Sequence, residues 1–409
     1  MESENDNNKY KYTTKENYSK INIAKVLKEK NLNFSKVKSI SYTVNVDYYE
    51  YYDEYYKKKR GLYYLIIPKE YLDNLENLRK EKNDIFTRGK ILTFSNKNNF
   101  IFDAAVETTE EDPKNKNIFY SYFIPTKDKY IVYTEDLIGE FEVEERKGDL
   151  TFQRMEKAIK EFFDSNCCSK NLEKYILGNP LLNRNRKLKN IFNYERYYLN
   201  SIIDFAKLTF NQEKEMNKIF YQEMTTINIK NNDNKIICLI IYAIYQSRKN
   251  FKDKILICSS SNLIADSISL ELLRMKEHIK KLNILRIYAK NQEKIGRNKK
   301  LNRISFHRLM NKSHKGIFDD RKEKRRWIVN KSNIIISTCI NSYNDNVINF
   351  KFPFVIIIDA NNSTENENLI PITLNARHVL LISYEGSDNG EINLYKRMKI
   401  LYPKNHCEI

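Results

Sequence analysis

The chain has 409 residues, 71 Lys and Arg against 53 Asp and Glu, and a formal net charge of +18. An apolar fraction of 41% supports real cores and excludes wholesale disorder, and the length suggests two or three domains. Only 9 glycines occur, where typical usage gives roughly 28, which leaves little for glycine-rich ligand loops.

The composition leans to Lys, Asn, Ile and Tyr. The charge therefore has two readings: a solvated surface shaped by compositional bias, or a polyanion partner, nucleic acid first among them. The longest apolar run, Ile236 to Tyr245, has 10 residues, short of the roughly 18 that a membrane-spanning helix needs. The start, MESENDNNKYKY, lacks the apolar core of a signal peptide. The six cysteines form no C-x-x-C pair and the five histidines are scattered, which argues against zinc and against a disulfide framework. The expectation is a cytoplasmic protein with reduced thiols and no membrane contact.

Residues 1–38 form a polar, lysine-rich segment with a short helix expected near Ile21 to Lys30. Residues 39–146 alternate short β-branched and aromatic runs with polar turns, the pattern of a small antiparallel β-barrel. The tyrosine cluster from Tyr48 to Tyr56 carries interleaved acids, so packing beneath a loop suits it better than base stacking. From 151 the period lengthens: Phe152, Met155, Ile159, Phe162 and Phe163 predict an amphipathic helix over 151–164, and helical patterns continue to about residue 207.

Residues 208–409 alternate continuous apolar runs with helices, as a doubly wound α/β sheet requires. The expected strands are Thr226–Ile229, Lys254–Cys258, Asn283–Ile287, Asn333–Thr338, Phe354–Asp359 and His378–Ser383. A basic insertion, 297–326, holds 12 Lys and Arg against 3 acids, a net +9. It reads as a polyphosphate-binding segment or as a solvated arm, with Arg321, Lys322, Lys324, Arg325 and Arg326 as the densest run. Trp327, just after it, is expected as a core anchor.

Two strand ends carry ordered polar residues: Ser259-Ser260-Ser261-Asn262 after one strand, and Asp359 after another. Open α/β sheets place their sites at such carboxyl edges. Leu208-Thr209-Phe210-Asn211-Gln212, Ile257 to Asp266, Ile335 to Cys339 and Val355 to Ala360 occur in one order and spacing. In that order they resemble the motifs of superfamily 1 RNA helicases of the regulator of nonsense transcripts 1 family. The stretch Phe152 to Lys160 resembles that family's helical stalk behind its barrel, and the likeness covers roughly residues 45–400. It implies a RecA-like doubly wound parallel sheet, preceded by an antiparallel β-barrel and a stalk over 151–207. It also implies Gln212, Lys235 and Asp359 as nucleotide and magnesium ligands, and Ser261, Asn262 and Thr338 as RNA contacts.

The departures matter as much. Where the family has G-x-x-x-x-G-K-[ST], this chain reads Ile229-Lys230-Asn231-Asn232-Asp233-Asn234-Lys235-Ile236. That loop's backbone N–H groups normally cradle phosphates, its Lys reaches the terminal ones and its hydroxyl serves Mg²⁺. Here Lys235 keeps its place, Asn234 replaces glycine, Asp233 adds negative charge and Ile236 lacks the hydroxyl. Ala360 stands where a Glu would activate the attacking water. No second motor domain and no Cys/His-rich amino-terminal domain is recognised. The expectation is a degenerate helicase-like protein that binds RNA or a ribonucleoprotein, with ATP and magnesium binding weakened, no catalytic residue and no metal centre. Two alternatives stand beside it: an active ATP-dependent RNA helicase completed by a second motor domain, and a pure protein-interaction scaffold. Lys235 also reads as a plain surface lysine, Asp359 as a helix cap, and Ser261 with Asn262 as a helix N-terminus.

Overall fold

The computed structural model describes residues 10–37, 42–53, 58–68, 91–97, 101–115, 117–125, 137–146, 149–179, 192, 215, 218–230, 233–250, 252–276, 282–289, 293, 299–312, 320–386 and 392–409. Two compact units emerge. One comprises Leu27–Phe152 with Lys290–Gly296; the other comprises Met1–Val26, Gln153–Ala289 and Arg297–Ile409.

The smaller unit is a closed antiparallel barrel. Its strands are β1 (Tyr42–Asp53), β2 (Lys58–Pro68), β3 (Ile91–Ser95), β4 (Ile101–Glu111), β5 (Ile118–Pro125) and β6 (Gly139–Arg146), in the order β1-β2-β5-β4-β3-β6. The alternation read from the sequence has a direct cause. Successive strand residues point to opposite faces, so Tyr63, Leu65 and Ile67 face inward while Ile66 is exposed. Phe94 stacks on Phe102 and Phe123 at 4.8 and 4.5 Å, and Phe141 meets Phe102 edge-on at 5.4 Å. Closure removes the free strand edges that would otherwise invite aggregation. Of the tyrosine cluster, Tyr48 packs against the buried Tyr63 at 5.1 Å, and 54–57 lie outside the described residues.

The larger unit is built on a parallel seven-stranded sheet. Its strands are β7 (Met224–Ile229), β8 (Ile255–Ser259), β9 (Ile284–Arg286), β10 (Ile334–Thr338), β11 (Phe354–Ile358), β12 (His378–Tyr384) and β13 (His406–Glu408). The order is β13-β7-β12-β11-β8-β10-β9, every pair parallel. The expected doubly wound sheet is present. β8 and β11 are buried at every position, which is why they read as unbroken apolar runs. The short β13 has no such run and was not anticipated.

Among the described residues the helices are α1 (Lys15–Val37), α2 (Asp149–Asp164), α3 (Lys170–Leu177), α4 (Asn234–Ser247), α5 (Asn262–Lys276), α6 (Phe306–Asn311), α7 (Arg321–Lys331), α8 (Glu365–Ile372) and α9 (Leu394–Leu401). α1 is longer than the segment expected near Ile21 to Lys30. It contains no Gly or Pro, and the Thr14 hydroxyl accepts from the Asn17 N–H at its start. Residues 10–26 are also less polar in effect than in composition. Tyr18 is fully buried against Phe162, and Arg397, paired with Glu365 at 2.7 Å, lies over the Tyr12 ring. Within the basic insertion, 299–303 form a 3-10 turn, α6 and the start of α7 are helical, and 313–319 lie outside the described residues.

α7 is anchored to the sheet by Lys254. Its ammonium donates to the carbonyls of Val329, Asn330 and Ser332 at 2.7–2.9 Å, satisfying the C-terminal acceptors that a helix leaves open.

One buried residue gives the larger unit a pH dependence. His378 opens β12 fully buried, and its Nε2 donates to the Ile219 carbonyl at 2.7 Å while Nδ1 is unpartnered. Protonation would place a charged, unsatisfied N–H in the core, so burial holds its pKa down to about 4. The unfolded chain takes that proton near pH 6.5, so the unfolded state binds more protons between 6.5 and 4. Stability should therefore fall by about 3 kcal/mol as pH drops through that window and stay flat above it. Urea unfolding at pH 7.5 and 4.5 checks this, and His378→Gln should remove that part of the slope.

Candidate functional site

Because all seven strands run the same way, the loops that follow them leave one edge of the sheet. Thr338 and Ile358 both pair with Ser259, so the ends of β8, β10 and β11 are level. Asp359, Ser260 to Asn262 and Thr338 follow from these ends, and Tyr384 closes β12.

The stretch Ile229 to Ile236, expected as the counterpart of a phosphate loop, joins β7 to α4; 231 and 232 lie outside the described residues. Asp233 caps α4, its carboxylate accepting from the Lys235 N–H at 2.8 Å. A helix N-terminus attracts anions because its first N–H groups are open and its dipole is positive. Here one of those donors is already satisfied by an anion of the chain itself. A phosphate seated beside Asp233 meets repulsion on the order of 4 kcal/mol per charge at 4 Å, for an effective dielectric of 20. Asn234 closes the turn further. Its amide donates to Ser267 Oγ at 2.8 Å and its carbonyl oxygen accepts from the Tyr384 hydroxyl at 2.7 Å. These bonds tie α4 to α5 and to the end of β12. Burial, then the nearby Asp359 charge, raises the Tyr384 pKa, so its hydroxyl stays a donor. The Lys235 side chain is exposed. Gln212 lies outside the described residues.

Asp359 is 4% exposed and adopts a left-handed backbone, φ 61°, a conformation that Asp tolerates at modest cost. Ser260 Oγ donates to one carboxylate oxygen at 2.5 Å and Asn362 Nδ2 to the other at 2.8 Å. Burial pushes its pKa up and these two bonds pull it back. The next residue, Ala360, is fully buried and brings no carboxylate. Among the described residues no group of three His, Cys, Asp or Glu side chains is arranged to hold a metal ion. The donor set does not fit a magnesium–nucleoside triphosphate as it stands. Asp233 and Asn234 are engaged by the Lys235 N–H, Ser267 and Tyr384, and both oxygens of Asp359 accept bonds within the chain.

The expected RNA contacts line the same edge, and each is also held locally. Ser261 Oγ accepts from the Ile264 N–H at 3.3 Å, beginning α5. Its hydroxyl proton remains available, so the capping role and a phosphate contact are compatible. Thr338 Oγ1 accepts weakly from the Asn341 N–H at 3.4 Å. Asn262 Oδ1 accepts from Arg286 Nη2 at 2.9 Å. Leu263, the next residue, is 81% exposed.

Arg286 and its partners were not anticipated. Arg286 is fully buried in β9, pairs with Asp266 at 2.8 Å, donates to the Ile287 carbonyl and lies over the Tyr288 ring at 4.1 Å. Tyr288 also donates to Asp266 at 2.9 Å. The signal was an arginine inside the apolar run Ile284 to Ile287, which demands a buried acceptor.

The basic run on α7 is sorted by direction. Arg321, Lys322 and Arg326 are exposed and Arg325 is half-buried. Lys324 points inward and donates to the carbonyls of Met310 and Lys312 at the end of α6. It acts as a C-terminal cap, away from the basic face. Trp327 is half-buried, with the Lys331 ammonium 4.0 Å from its ring centre, and lies outside the buried core. Among the described residues no helix is long and apolar enough to cross a membrane.

Residues 289–382 match a protein family described as an AAA domain. The chain is 24% identical over 255 residues to ATP-dependent helicase NAM7 of Saccharomyces cerevisiae, covering 57% of this chain and 25% of that protein. It is 26% identical over 148 residues to regulator of nonsense transcripts 1 of Dictyostelium discoideum, covering 32% and 11%. It is 22% identical over 210 residues to ATP-dependent helicase upf1 of Schizosaccharomyces pombe, covering 44% and 22%. The matched stretches thus span a quarter or less of these relatives.

Removing one partner of a buried ion pair strands the other. Asp266→Ala should cost about 3–5 kcal/mol, measured by urea unfolding, whereas Asp233→Ala at the half-buried cap should cost about 1 kcal/mol.

Proposed function

Starting from a chain whose central part resembles superfamily 1 helicases of the regulator of nonsense transcripts 1 type, we propose that it binds single-stranded RNA, free or in a ribonucleoprotein, without turning over ATP. The observation that carries the second half is the closed phosphate turn. Asp233, Asn234, Ser267 and Tyr384 spend on one another the groups that a nucleotide would need. Ala360 leaves no carboxylate beside Asp359 to activate water.

The first half rests on the edge geometry and the charge. Ser261 and Thr338 stand at level strand ends, where their hydroxyls can serve phosphate oxygens. Arg321, Lys322, Arg325 and Arg326 add a cationic face on α7. Lys324 is left out of this set because its ammonium is consumed within the fold. RNA bound this way is held chiefly through its backbone, so sequence preference should be slight and salt dependence steep.

Two measurements test the reading. ATP hydrolysis by the purified chain, with and without RNA, should stay at background, and steady turnover abolished by Lys235→Ala would sink it. A salt titration of single-stranded RNA affinity should give a negative log–log slope. Neutralising Arg321, Lys322, Arg325 and Arg326 together should make that slope shallower by about 3, at roughly 0.7 per phosphate contact. No RNA affinity at low salt would favour a protein-binding scaffold instead.

A further inference from the structure

The larger unit holds a cleft that the strand-edge site does not include. It has a volume of about 640 Å³ and lies between α7 and the turns over 344–350 that lead from β10 to β11. Lys322, Arg325 and Arg326 line one wall. They sit at i, i+3 and i+4, the spacing that puts side chains on one face of a helix. Asn346, Asn349 and Phe350 line the other side, with Asp345 as the acid among the lining residues.

Three properties set this cleft apart from an ordinary solvated basic face. None of its three cations forms an ion pair with an acid among the described residues, and the Arg325 Nε is buried with no hydrogen-bond partner. A buried guanidinium nitrogen left open is costly unless a ligand or water supplies the acceptor. The negative potential of Asp345 is drawn toward Arg154, whose charge it supports from the α2 side. The far wall also offers two primary amides and an aromatic ring, which a site for a bare anion has no use for. Helical cations fix phosphate, amides read base edges, and an aromatic face stacks a base. The volume exceeds what a phosphate fills and suits a base, sugar and phosphate together.

We propose that this cleft binds a nucleoside phosphate, with its phosphate held by Lys322, Arg325 and Arg326 and its base against Phe350, Asn346 and Asn349. The ligand is either a free nucleotide or one nucleotide of the RNA strand invoked above; in the second case the inference rests on the RNA-binding reading. The cleft lies apart from the closed β7–α4 turn, so its ligand does not compete with Asp233 or Asn234.

The test titrates the full chain with adenosine 5′-monophosphate, with inorganic phosphate and with a 5′-phosphorylated hexauridylate, by calorimetry. Adenosine monophosphate should bind at least tenfold tighter than phosphate. Arg325→Gln with Arg326→Gln should weaken both by about tenfold. Phe350→Ala should weaken the nucleotide by about tenfold and leave phosphate unchanged, at the usual worth of one stacked base. Phe350→Tyr should retain binding, which guards against a merely unfolded variant. Hexauridylate bound tighter than the mononucleotide, with the same variant pattern, assigns the ligand to an RNA strand; the mononucleotide alone assigns it to a free nucleotide. Equal affinity for nucleotide and phosphate with no effect of Phe350→Ala would overturn the inference, as would no nucleotide binding at all. RNA affinity that falls with the arginine changes and with Ser261→Ala and Thr338→Val, but ignores Phe350→Ala, overturns the cleft and leaves the RNA-binding reading intact. Nucleotide binding in the cleft without RNA affinity does the reverse.

Discussion

Seven strands running in one direction impose the constraint from which the rest follows. A parallel sheet buried on both faces draws its central strands from apolar runs, and it delivers every strand-following loop to a single edge. The chain spends its Ile, Val and Leu on the strands and its short polar residues on that edge. β8, β10 and β11 end level, so Ser260 reaches the Asp359 carboxylate directly across adjacent strand ends. The same edge that offers hydroxyls to a ligand also satisfies most of them internally. Which of those bonds a ligand can replace decides what the edge does. A hydroxyl such as Ser261, which accepts from one N–H, keeps a donor in hand; a carboxylate such as Asp359, with both oxygens engaged, keeps much less.

Charge is handled by a similar division. Lysines that face the fold are used as helix caps: Lys254 closes the end of α7, and Lys324 closes the end of α6. The two act in opposite directions along one helix, since α7 receives a cap from Lys254 and supplies one through Lys324. Lysine suits this work because its three donors gather several carbonyls at once. The arginines at 325 and 326, left over on the other face, gain no such partners among the described residues. The net charge of the whole chain therefore understates how unevenly usable charge is distributed.

Much of the architecture was legible in the sequence. β8, β10, β11 and β12 are largely apolar runs, and such runs have few homes other than a buried parallel sheet. The barrel followed from period-two alternation. β13 was not legible: His406, Cys407 and Glu408 carry no pattern, and only pairing with β7 makes them a strand. The edge was legible in position but not in wiring. Asp233 announced itself as an acid in the wrong place, yet nothing local to Asn234 names Tyr384, 150 positions along the chain. Lys324 looks like its neighbours in a run of basic residues. Its separate role depends on where α6 ends, a tertiary fact. Arg286 was the missed clue, since a lone arginine in an apolar strand requires buried acceptors, here Asp266 and Asn262 on the adjoining helix and the Ile287 carbonyl.

The knot at the start of α4 also constrains what the turn could become. Asn234 is held by one residue of α5 and one of β12, while Asp233 satisfies the helix from in front. Replacing Asn234 alone by glycine would strand the Ser267 and Tyr384 hydroxyls without freeing the capped N–H. Replacing Asp233 alone would leave the two side-chain bonds standing. Three separate elements thus hold the start of α4, and no single substitution removes all of its bonds.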